Sequence, residues 1–259
     1  MTDDQLHPGV RVTRNGPVQT VTLTNADQRN AQTPSLWVAL ARAGAETPDD
    51  VRVVVLRGEG RSFSAGLHRD LLRRGGMPGE PDILSLAAGG GAGLEEVIGA
   101  FQRGFTVWAS LPAVVVAAVQ GYAVGAGFQL ALAADLRLVA DDAQLAMRET
   151  SLGLVPDLGG TSPLVRLVGY SRALEICATG RFVGAGEAAA IGLASAAVPV
   201  ADLEAATTDL VDALLAAPEQ ALCELKPLLR NAITAAPPDQ LLAERQAQAR
   251  LLQALASGR

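Results

Sequence analysis

Short apolar strands that alternate with helices recur along this chain, and this repetition restricts its fold more than any other feature. An apolar run rich in β-branched residues covers residues 51–56, further predicted strands cover 113–119 and 135–140, and segments with helical spacing lie between them. Strands that are continuously apolar are buried on both faces, so helices must cover the sheet that they form. The sequence therefore predicts a layered α/β core.

The N-terminal part of the chain predicts a β-hairpin followed by a helix. Apolar and polar residues alternate over 10–14 and 18–23, and the Asn-Gly pair between them is typical of a tight hairpin turn. Thr33 and Pro34 then form the pair that begins a helix, and Pro48 ends it. The chain thus begins with antiparallel strands before the strand-helix repeats.

Two later segments lack strand patterns. Residues 69–93 are rich in glycine, proline and charge and end in a nearly continuous glycine run at 89–93, which predicts a mobile surface loop. From about residue 201 a helical periodicity takes over, and Pro218 and the proline pair at 237–238 divide this tail into about three helices. Periodicity alone leaves open whether the tail is a packed cap or an oligomerisation element.

Composition excludes several classes of function. The chain has 259 residues and a net charge of -6, and only 3% of its residues are aromatic. An acidic chain with few aromatic side chains is poorly suited to follow a phosphate backbone or stack bases, so we expect no nucleic-acid binding. The two histidines, His7 and His68, lie in no cluster with metal-ligand spacing, and we expect no metal site.

The cysteines and the N-terminus indicate a reducing compartment. Cys177 and Cys223 lie in apolar, helix-like surroundings, which predicts free buried thiols rather than a disulfide or a nucleophile. The first residues are polar and acidic, and no stretch reaches the roughly 18 apolar residues of a membrane span. We therefore expect a soluble, cytoplasmic protein without membrane contact.

Two glycine-rich segments follow predicted strands, at 63–68 (Phe-Ser-Ala-Gly-Leu-His) and 121–129 (Gly-Tyr-Ala-Val-Gly-Ala-Gly-Phe-Gln). Small residues between a strand and a helix leave backbone N–H groups free and let a ligand approach closely. Each segment alone also fits a tight connection without function. Neither matches the dinucleotide fingerprint or the P-loop, which argues against hydride transfer and nucleotide hydrolysis.

Two carboxylates, Glu149 and Asp157, lie in an apolar segment interrupted by glycine. Burial in apolar surroundings raises the pKa of a carboxyl group towards the working pH, as a general acid or base requires. Structural roles remain open at this point. Glu149 is also a potential ion-pair partner of Arg148 or Arg166, and Asp157 a potential N-cap of a helix that opens at Gly159.

Four ordered motifs resemble the crotonase superfamily, the enoyl-CoA hydratases and isomerases. They are Leu-Thr-Asn-Ala-Asp-Gln-Arg-Asn-Ala at 23–31, Phe-Ser-Ala-Gly at 63–66, Gly-Tyr-Ala-Val-Gly-Ala-Gly at 121–127 and Pro-Asp-Leu-Gly-Gly-Thr at 156–161. The resemblance implies an α/β fold, a crotonase-like spiral of repeated ββα units over residues 1–197. A C-terminal helical region at 198–259 would pack into a homotrimer, often paired as a hexamer.

The resemblance also assigns binding roles. The backbone N–H groups of Leu67 and Ala126 would form an oxyanion hole for the oxygen of an acyl-CoA thioester. Coenzyme A, as part of the substrate and not as a separate cofactor, would lie along six further residues: Asp27, Gln28, Arg29, the backbone of Ser64 and Ala65, and Lys226 as a phosphate contact. The 69–93 loop would shape the acyl pocket, whereas His68 is either part of that pocket or, by slight preference, exposed.

The catalytic pattern departs from the family at one position. Hydratases of the family use two glutamates; the second is present as Glu149, but the first position is Gln129, which cannot give or take a proton. Asp157 occupies the position of an acid in dienoyl-CoA isomerases. The pair slightly favours double-bond isomerisation. Alternatives are hydration by Glu149 with Gln129 placing the water, thioester hydrolysis or dehalogenation with Asp157 as nucleophile, and non-catalytic acyl-CoA binding.

Overall fold

The computed structural model describes residues 3–89 and 93–257, with side chains from Leu6 onwards in the first range. Within these ranges the strands form a long sheet in the order β1-β2-β3-β4-β5-β7-β10 and a short sheet in the order β6-β8-β9. Their bounds are β1 (Asp3–His7), β2 (Val10–Asn15), β3 (Val18–Leu23), β4 (Val53–Gly58), β5 (Val114–Val119), β6 (Tyr122–Val124), β7 (Leu136–Ala140), β8 (Gln144–Ala146), β9 (Val183–Gly184) and β10 (Ala196–Val198).

The helices alternate with these strands as far as β10 and then follow one another without interruption by strands. Their bounds are α1 (Pro34–Ala45), α2 (Ile83–Ala88), α3 (Leu94–Ser110), α4 (Ala126–Ala133), α5 (Thr161–Val168), α6 (Tyr170–Thr179), α7 (Ala185–Ala190), α8 (Leu203–Ala216), α9 (Glu219–Asn231) and α10 (Pro237–Ala256). Short 3-10 turns cover Ala26–Gln28, Arg69–Leu72, Glu149–Leu152 and Val200–Asp202. None of the helices in the described ranges combines the length and apolar character that a membrane span needs.

The long sheet is antiparallel at its N-terminal edge and parallel elsewhere. The predicted hairpin is confirmed, because β2 and β3 pair antiparallel around Asn15 and Val18. From β3 onwards each neighbour in the sheet runs parallel, through β4, β5, β7 and β10. Parallel neighbours bring their carboxyl ends to one edge, and the segments that follow β4 and β5 therefore meet there.

The parallel strands are buried on both faces, as their apolar sequences predict. Val54 and Leu56 of β4 face the main core together with aromatic residues of α1 and α3, whereas Val53 and Val55 face Val211 of α8. Alternate residues of one strand thus enter two separate hydrophobic clusters. The α/β layering predicted from the sequence is confirmed, with helices covering both faces of the sheet.

Helices α1 and α3 pack closely over the main core. Thr33 caps α1 through its side-chain oxygen, which accepts from the Leu36 N–H at 3.3 Å. The ring of Trp37 packs against that of Phe101 with a centroid separation of 5.1 Å. Gly104 lies directly against the backbone of Trp37, where a Cβ atom would be 2.5 Å from the carbonyl oxygen. The helix pair therefore depends on a missing side chain at residue 104.

Two expectations need correction. The 69–93 segment is not simply a loop, because it contains the 3-10 turn Arg69–Leu72 and helix α2, and Leu71 is fully buried; residues 90–92 of its glycine run lie outside the described residues. The cysteines are free, but Cys177 is only half-buried and Cys223 is exposed. Cys223 is exposed because α9 lies on the surface of the chain, with no fully buried residue.

The packing of α3 on α1 generates a stability prediction. Gly104→Ala should lower the free energy of unfolding by about 1–3 kcal/mol, because the added methyl group meets backbone that cannot rotate away. Gly99→Ala in the same helix has open space around its Cβ position and should raise the stability by up to about 1 kcal/mol. Urea unfolding of both variants measures this difference, and equal effects would contradict the close approach.

Candidate active site

The two glycine-rich segments lie side by side at the carboxyl ends of β4 and β5. The Ser64 N–H donates to the Tyr122 carbonyl at 2.8 Å, and the Val124 N–H donates to the Ser64 carbonyl at 3.0 Å. A parallel bridge between Ser64 and Ala123 results. The segment that follows β4 is thereby joined to β6 of the short sheet, and the two glycine-rich segments are held together.

Gly66 is the point at which the two segments approach most closely. Its φ of 81° lies in the left-handed region, which side-chain-bearing residues rarely adopt. A Cβ atom on Gly66 would overlap the Val124 carbonyl oxygen and lie 3.4 Å from the Ala126 nitrogen. Only glycine therefore fits, and the residue that follows it, Leu67, is fixed close to Ala126.

The N–H groups of Leu67 and Ala126 have no acceptor among the described residues. The neighbouring Gly66 N–H donates to the Ser64 hydroxyl at 3.1 Å, and the His68 N–H donates to the Gln32 carbonyl at 2.8 Å, so the turn is fixed without using the Leu67 amide. Ala126 begins α4, and first-turn amides have no acceptor within their own helix. Both amides remain available to a ligand oxygen.

Glu149 lies beside the second glycine segment, in the 3-10 turn that follows β8. Its Oε1 accepts from the Gln129 Nε2 at 2.7 Å and lies 3.4 Å from the position of a Cβ atom on Gly125. Its Oε2 is shielded from solvent and has no hydrogen-bond partner. Burial raises the pKa of Glu149. Neither Arg148 nor Arg166 forms an ion pair with Glu149 among the described residues, which leaves the ion-pair alternative without support.

Asp157 is the second partly buried carboxyl group of the site. Burial raises its pKa, and its charge adds to the rise in the pKa of Glu149. The backbone around it is held by Gln102, whose Nε2 donates to the Asp157 carbonyl at 2.7 Å. The capping role is wrong, because α5 has Gly160 as its N-cap and receives no side-chain capping bond.

Gln129 is almost completely buried on α4 and joins the two acidic segments. Its Oε1 accepts from the N–H groups of Leu158 at 2.9 Å and Gly160 at 3.2 Å, while its Nε2 donates to Glu149. The amide oxygen, which would orient a water in the hydration alternative, is thus occupied by two backbone donors. These partners are 20 to 31 residues distant in sequence, and no local pattern predicts them.

The residues expected to bind coenzyme A differ in how accessible they are to a ligand. Asp27, Gln28 and Arg29 form an exposed turn, and the Arg29 carbonyl accepts from the Ala65 N–H at 2.8 Å, so this turn lies against the first glycine segment. Ser64 does not fit its expected role. It is fully buried, and its backbone N–H, carbonyl and hydroxyl are all engaged within the protein, which leaves Ala65 as the accessible residue of the expected Ser64-Ala65 pair.

Lys226 does not fit its expected role as a phosphate contact. Its Nζ lies 2.7 Å from the Asp135 Oδ2 and donates to the Ala113 carbonyl at 2.7 Å, and only 9% of the side chain is exposed. Burial lowers the pKa of Lys226, whereas Asp135 opposes this effect. Long-range contacts of α9, which periodicity cannot show, hold the ammonium group inside the protein and away from a ligand phosphate.

His68 is also placed differently from the preferred expectation. Only 17% of its side chain is exposed, and its Nδ1 accepts from the Asp70 N–H at 3.4 Å. The imidazole therefore caps the 3-10 turn Arg69–Leu72 beside Leu67 instead of extending from a loop. His68 lies two residues before Asp70, and this spacing is only a weak capping signal in the sequence.

Sequence reasoning missed two residues near the carboxyl groups. Gln102 on α3 holds the Asp157 backbone, and Cys177 on α6 lies near enough to Glu149 for their charges to interact. Burial, and then the charge of Glu149, raise the pKa of the Cys177 thiol, so it remains protonated and is a poor nucleophile. Neither residue belongs to a motif, and only the packing of α3 and α6 brings them to the site.

Comparison with known proteins shows the family of this chain. Residues 13–257 match the family model described as enoyl-CoA hydratase/isomerase. The chain belongs to the enoyl-CoA hydratase/isomerase family. Carnitinyl-CoA dehydratase from Salmonella enteritidis is 34% identical over 224 residues, which cover 85% of this chain and 80% of that protein. The chain is accordingly an acyl-CoA enzyme of the crotonase superfamily.

Solved structures of the family share the whole fold. A protein from Thermobifida fusca YX, solved in complex with acetoacetyl-CoA, is 46% identical with a TM-score of 0.91, and the match covers 95% of each chain. An enoyl-CoA hydratase from Bacillus anthracis is 30% identical with a TM-score of 0.81, and the match covers 97% of each chain. The crotonase-like fold predicted from the motifs is confirmed by these neighbours.

Because Glu149 is partly buried, replacing it with a neutral residue should stabilise the protein, and the size of this gain should depend on pH. Because its pKa is raised above the ordinary value of 4.5, wild-type stability is fully present below that pH and decreases as the pH rises through the folded-state pKa. Glu149→Gln keeps the shape and removes the charge, so its urea midpoint should exceed that of the wild type at pH 7. The difference should shrink towards pH 4.

Exposed Glu244 provides the control for this measurement. Glu244→Gln removes one carboxylate of the same type from the solvent-facing side of α10, and it should leave the pH dependence of the urea midpoint close to that of the wild type. A Glu149→Gln variant that is less stable than the wild type at pH 7 would show that the ionised carboxylate stabilises the fold.

Proposed function

We propose that the enzyme holds the thioester oxygen of an acyl-CoA between the Leu67 and Ala126 N–H groups while Glu149 removes a proton from the acyl chain. The C–H bond breaks, its electron pair moves into an enolate whose charge rests on the thioester oxygen, and the proton passes to the carboxylate. Each amide donor of such a hole contributes roughly 3 kcal/mol when its geometry is right. The reaction ends when a proton returns to another carbon.

The observation that carries this proposal is the convergence of unpartnered groups around one backbone turn. Gly66 brings the Leu67 amide next to Ala126, and Gly125 brings the Glu149 carboxylate next to the same residue. Donors without acceptors then lie beside a buried oxygen without a donor, Glu149 Oε2. Buried polar groups are normally paired within a protein, so this cluster is suited to a ligand that completes it.

The surroundings of Glu149 favour double-bond isomerisation over hydration. Hydration by a single carboxylate needs a second group to hold the water, and the Gln129 oxygen is occupied by the N–H groups of Leu158 and Gly160. Asp157, in contrast, has a partly buried carboxyl group with a raised pKa, which suits it to return a proton elsewhere on the chain. One carboxylate takes the proton and the other delivers one.

Reversible loss of water is the second candidate function, and it is favoured by the relatives. The 34% identical protein from Salmonella enteritidis is named carnitinyl-CoA dehydratase, and the structural neighbour from Bacillus anthracis is named an enoyl-CoA hydratase. In this reading Glu149 takes the proton next to the thioester, and the same carboxyl group protonates the departing hydroxyl. The oxyanion hole acts identically in both reactions.

For substrate binding, we propose that the exposed turn of Asp27, Gln28 and Arg29 and the Ala65 backbone receive the coenzyme A moiety. The turn lies directly against the glycine segment that carries Leu67. The chain is acidic overall, so an anionic ligand must be attracted locally, and Arg29 offers an exposed cation there. A solved relative from Thermobifida fusca YX was crystallised with CoA.

We also propose that α9 and α10 mediate assembly into a trimer or a pair of trimers. Their exposed faces and the turn between them carry large apolar side chains, which a solitary chain would leave in water: Leu225, Leu229, Ile233, Leu241, Leu242, Leu252 and Leu255. Clusters of this kind mark protein-protein interfaces. Sequence periodicity had left cap and assembly element open, and this exposure supports assembly.

Solvent deuterium distinguishes the candidate reactions. The enzyme is incubated with 2-enoyl, 3-enoyl and 3,5-dienoyl-CoA esters in deuterated water, and mass and absorbance are followed. Isomerisation predicts deuterium incorporation with an unchanged carbon skeleton, whereas hydration predicts the mass of one added water. Hydrolysis would release free CoA. A lack of change on every ester with intact CoA binding would contradict the proposed catalysis.

Substitution of the two carboxyl groups separates their roles. Glu149→Gln should reduce turnover by at least about 100-fold, because no other group removes the first proton, while CoA affinity stays nearly unchanged. Asp157→Asn should slow isomerisation more than deuterium exchange at the first carbon. Retained turnover in Glu149→Gln would show that the base has been assigned wrongly.

Sedimentation tests the assembly proposal. The wild type should show three or six times the mass of one chain, and Leu229→Asp, on the exposed face of α9, should shift the protein towards smaller species. Val38→Asp, which places a charge at an equally exposed apolar position on α1, serves as the control and should keep the wild-type mass. A monomeric wild type would exclude the proposal.

A further inference from the structure

The orientation of the Gln129 amide is fixed by its own hydrogen bonds. Its Oε1 accepts from two backbone N–H groups, of Leu158 and Gly160, so the reversed amide would point N–H groups at N–H groups. Gly160 permits this contact, since a Cβ atom there would lie 2.7 Å from the Gln129 Cγ. The Nε2 must therefore face Glu149, and it donates to Oε1 at 2.7 Å.

The two oxygens of Glu149 consequently differ. Both lie within 4 Å of the Cβ position on Gly125, but Oε1 receives the Gln129 donor, whereas Oε2 is buried and has no partner. A proton on Oε1 would face the N–H group that now donates to it, and the hydrogen bond would be lost. Oε2 is the oxygen at which a proton can be added without losing a bond.

We propose that Gln129 is the positioning residue for Glu149, holding Oε1 so that Oε2 is the single atom through which protons enter and leave the carboxylate. This inference rests on the proposed role of Glu149 as the base. It assigns to Gln129 a function that differs from placing a water: the side chain acts through Glu149 and does not contact the substrate.

Among the described residues, Gln129 is the side chain that donates a hydrogen bond to Glu149. The other side chains that face Glu149 do not donate to it. Asp157 adds negative charge nearby, and Cys177 on α6 is a thiol held protonated by burial and by Glu149 itself. The Arg148 guanidinium extends away, donating to the Gly180 carbonyl at 3.3 Å and lying 5.9 Å from the Phe182 ring centroid. Burial raises the pKa of Glu149, whereas the backbone of Glu149 itself, the Gln129 hydrogen bond and the backbone of Arg148 lower it.

Two substitutions separate the parts of this role. Gln129→Glu keeps an acceptor for the Leu158 and Gly160 N–H groups but replaces the donor to Glu149 with a second carboxylate, whereas Gln129→Met removes both functions. Gln102→Met is the matched control, because Gln102 also anchors the acidic segment, at the Asp157 carbonyl, but does not contact Glu149. All three variants are compared with the wild-type full-length protein.

The first readout is the pH dependence of deuterium exchange into the acyl-CoA ester on which the wild type is most active. Ionised Glu149 is the active form, so the rate decreases as the pH falls through its pKa. Losing a hydrogen bond to the ionised form should raise that pKa and move the acidic limb to higher pH in both Gln129 variants. The rate at the wild-type midpoint should fall on the order of 10-fold.

The second readout needs no turnover. Infrared difference titration of the carboxyl band, with Glu149→Gln in the same background as the reference, follows protonation of Glu149 directly. It should show an upward shift in both Gln129 variants, larger in Gln129→Glu because the second carboxylate adds repulsion, and no shift in Gln102→Met. If the wild type exchanges no ester, the proposed function fails, and this titration still tests whether Gln129 controls Glu149.

An unchanged acidic limb and an unchanged titration in Gln129→Glu would overturn the inference, because the donor to Glu149 is then without effect. An equal shift in Gln102→Met would also overturn it, since any loosening of the acidic segment would then suffice. If Gln129→Met lowers the rate while the acidic limb of the pH profile stays at the wild-type position, Gln129 only stabilises the backbone of Leu158 and Gly160. That result would also overturn the inference.

Discussion

The close approach of two backbone segments at Gly66 is the contact on which the site depends. A side chain there would overlap the Val124 carbonyl, so the strand-end segments can meet only because residue 66 is glycine. The contact fixes Leu67 beside Ala126, and the parallel order of β4 and β5 brings both segments to one sheet edge. Sheet topology thus sets the site's position, and one missing Cβ sets its dimensions.

The burial of two carboxyl groups in the site is electrostatically unfavourable, and packing elsewhere in the fold offsets this loss of stability. Glu149 and Asp157 are partly buried near each other, and burial opposes the charge of both. The parallel sheet, buried between two helical layers, supplies the rigidity that holds them there. A carboxylate that water would stabilise is kept instead in surroundings that disfavour its charge, and in the proposed mechanism this loss of stability serves proton transfer.

Patterns among residues close in sequence were enough to predict the main strands and the start of the first helix. The Asn-Gly turn, the Thr33 cap and the apolar strands depend on residues near in sequence, and each lies where the pattern indicates. The motifs identified the family, and with it the two glycine segments and Glu149. The outcomes for Ser64, Lys226 and Gln129 depend on contacts 20 to 113 residues away, which periodicity and spacing do not encode.

Gln129 illustrates why a single residue identity does not define a role. In the sequence it replaces the first glutamate of a hydratase, which indicates a missing acid. In the structure its amide links Leu158 and Gly160 to Glu149, which a glutamate cannot do while ionised, because it has no hydrogen to donate. The exchange of carboxylate for amide therefore does more than remove an acid. It replaces repulsion between two neighbouring carboxylates with a hydrogen bond, and in the proposed mechanism it leaves proton transfer to Glu149 and Asp157.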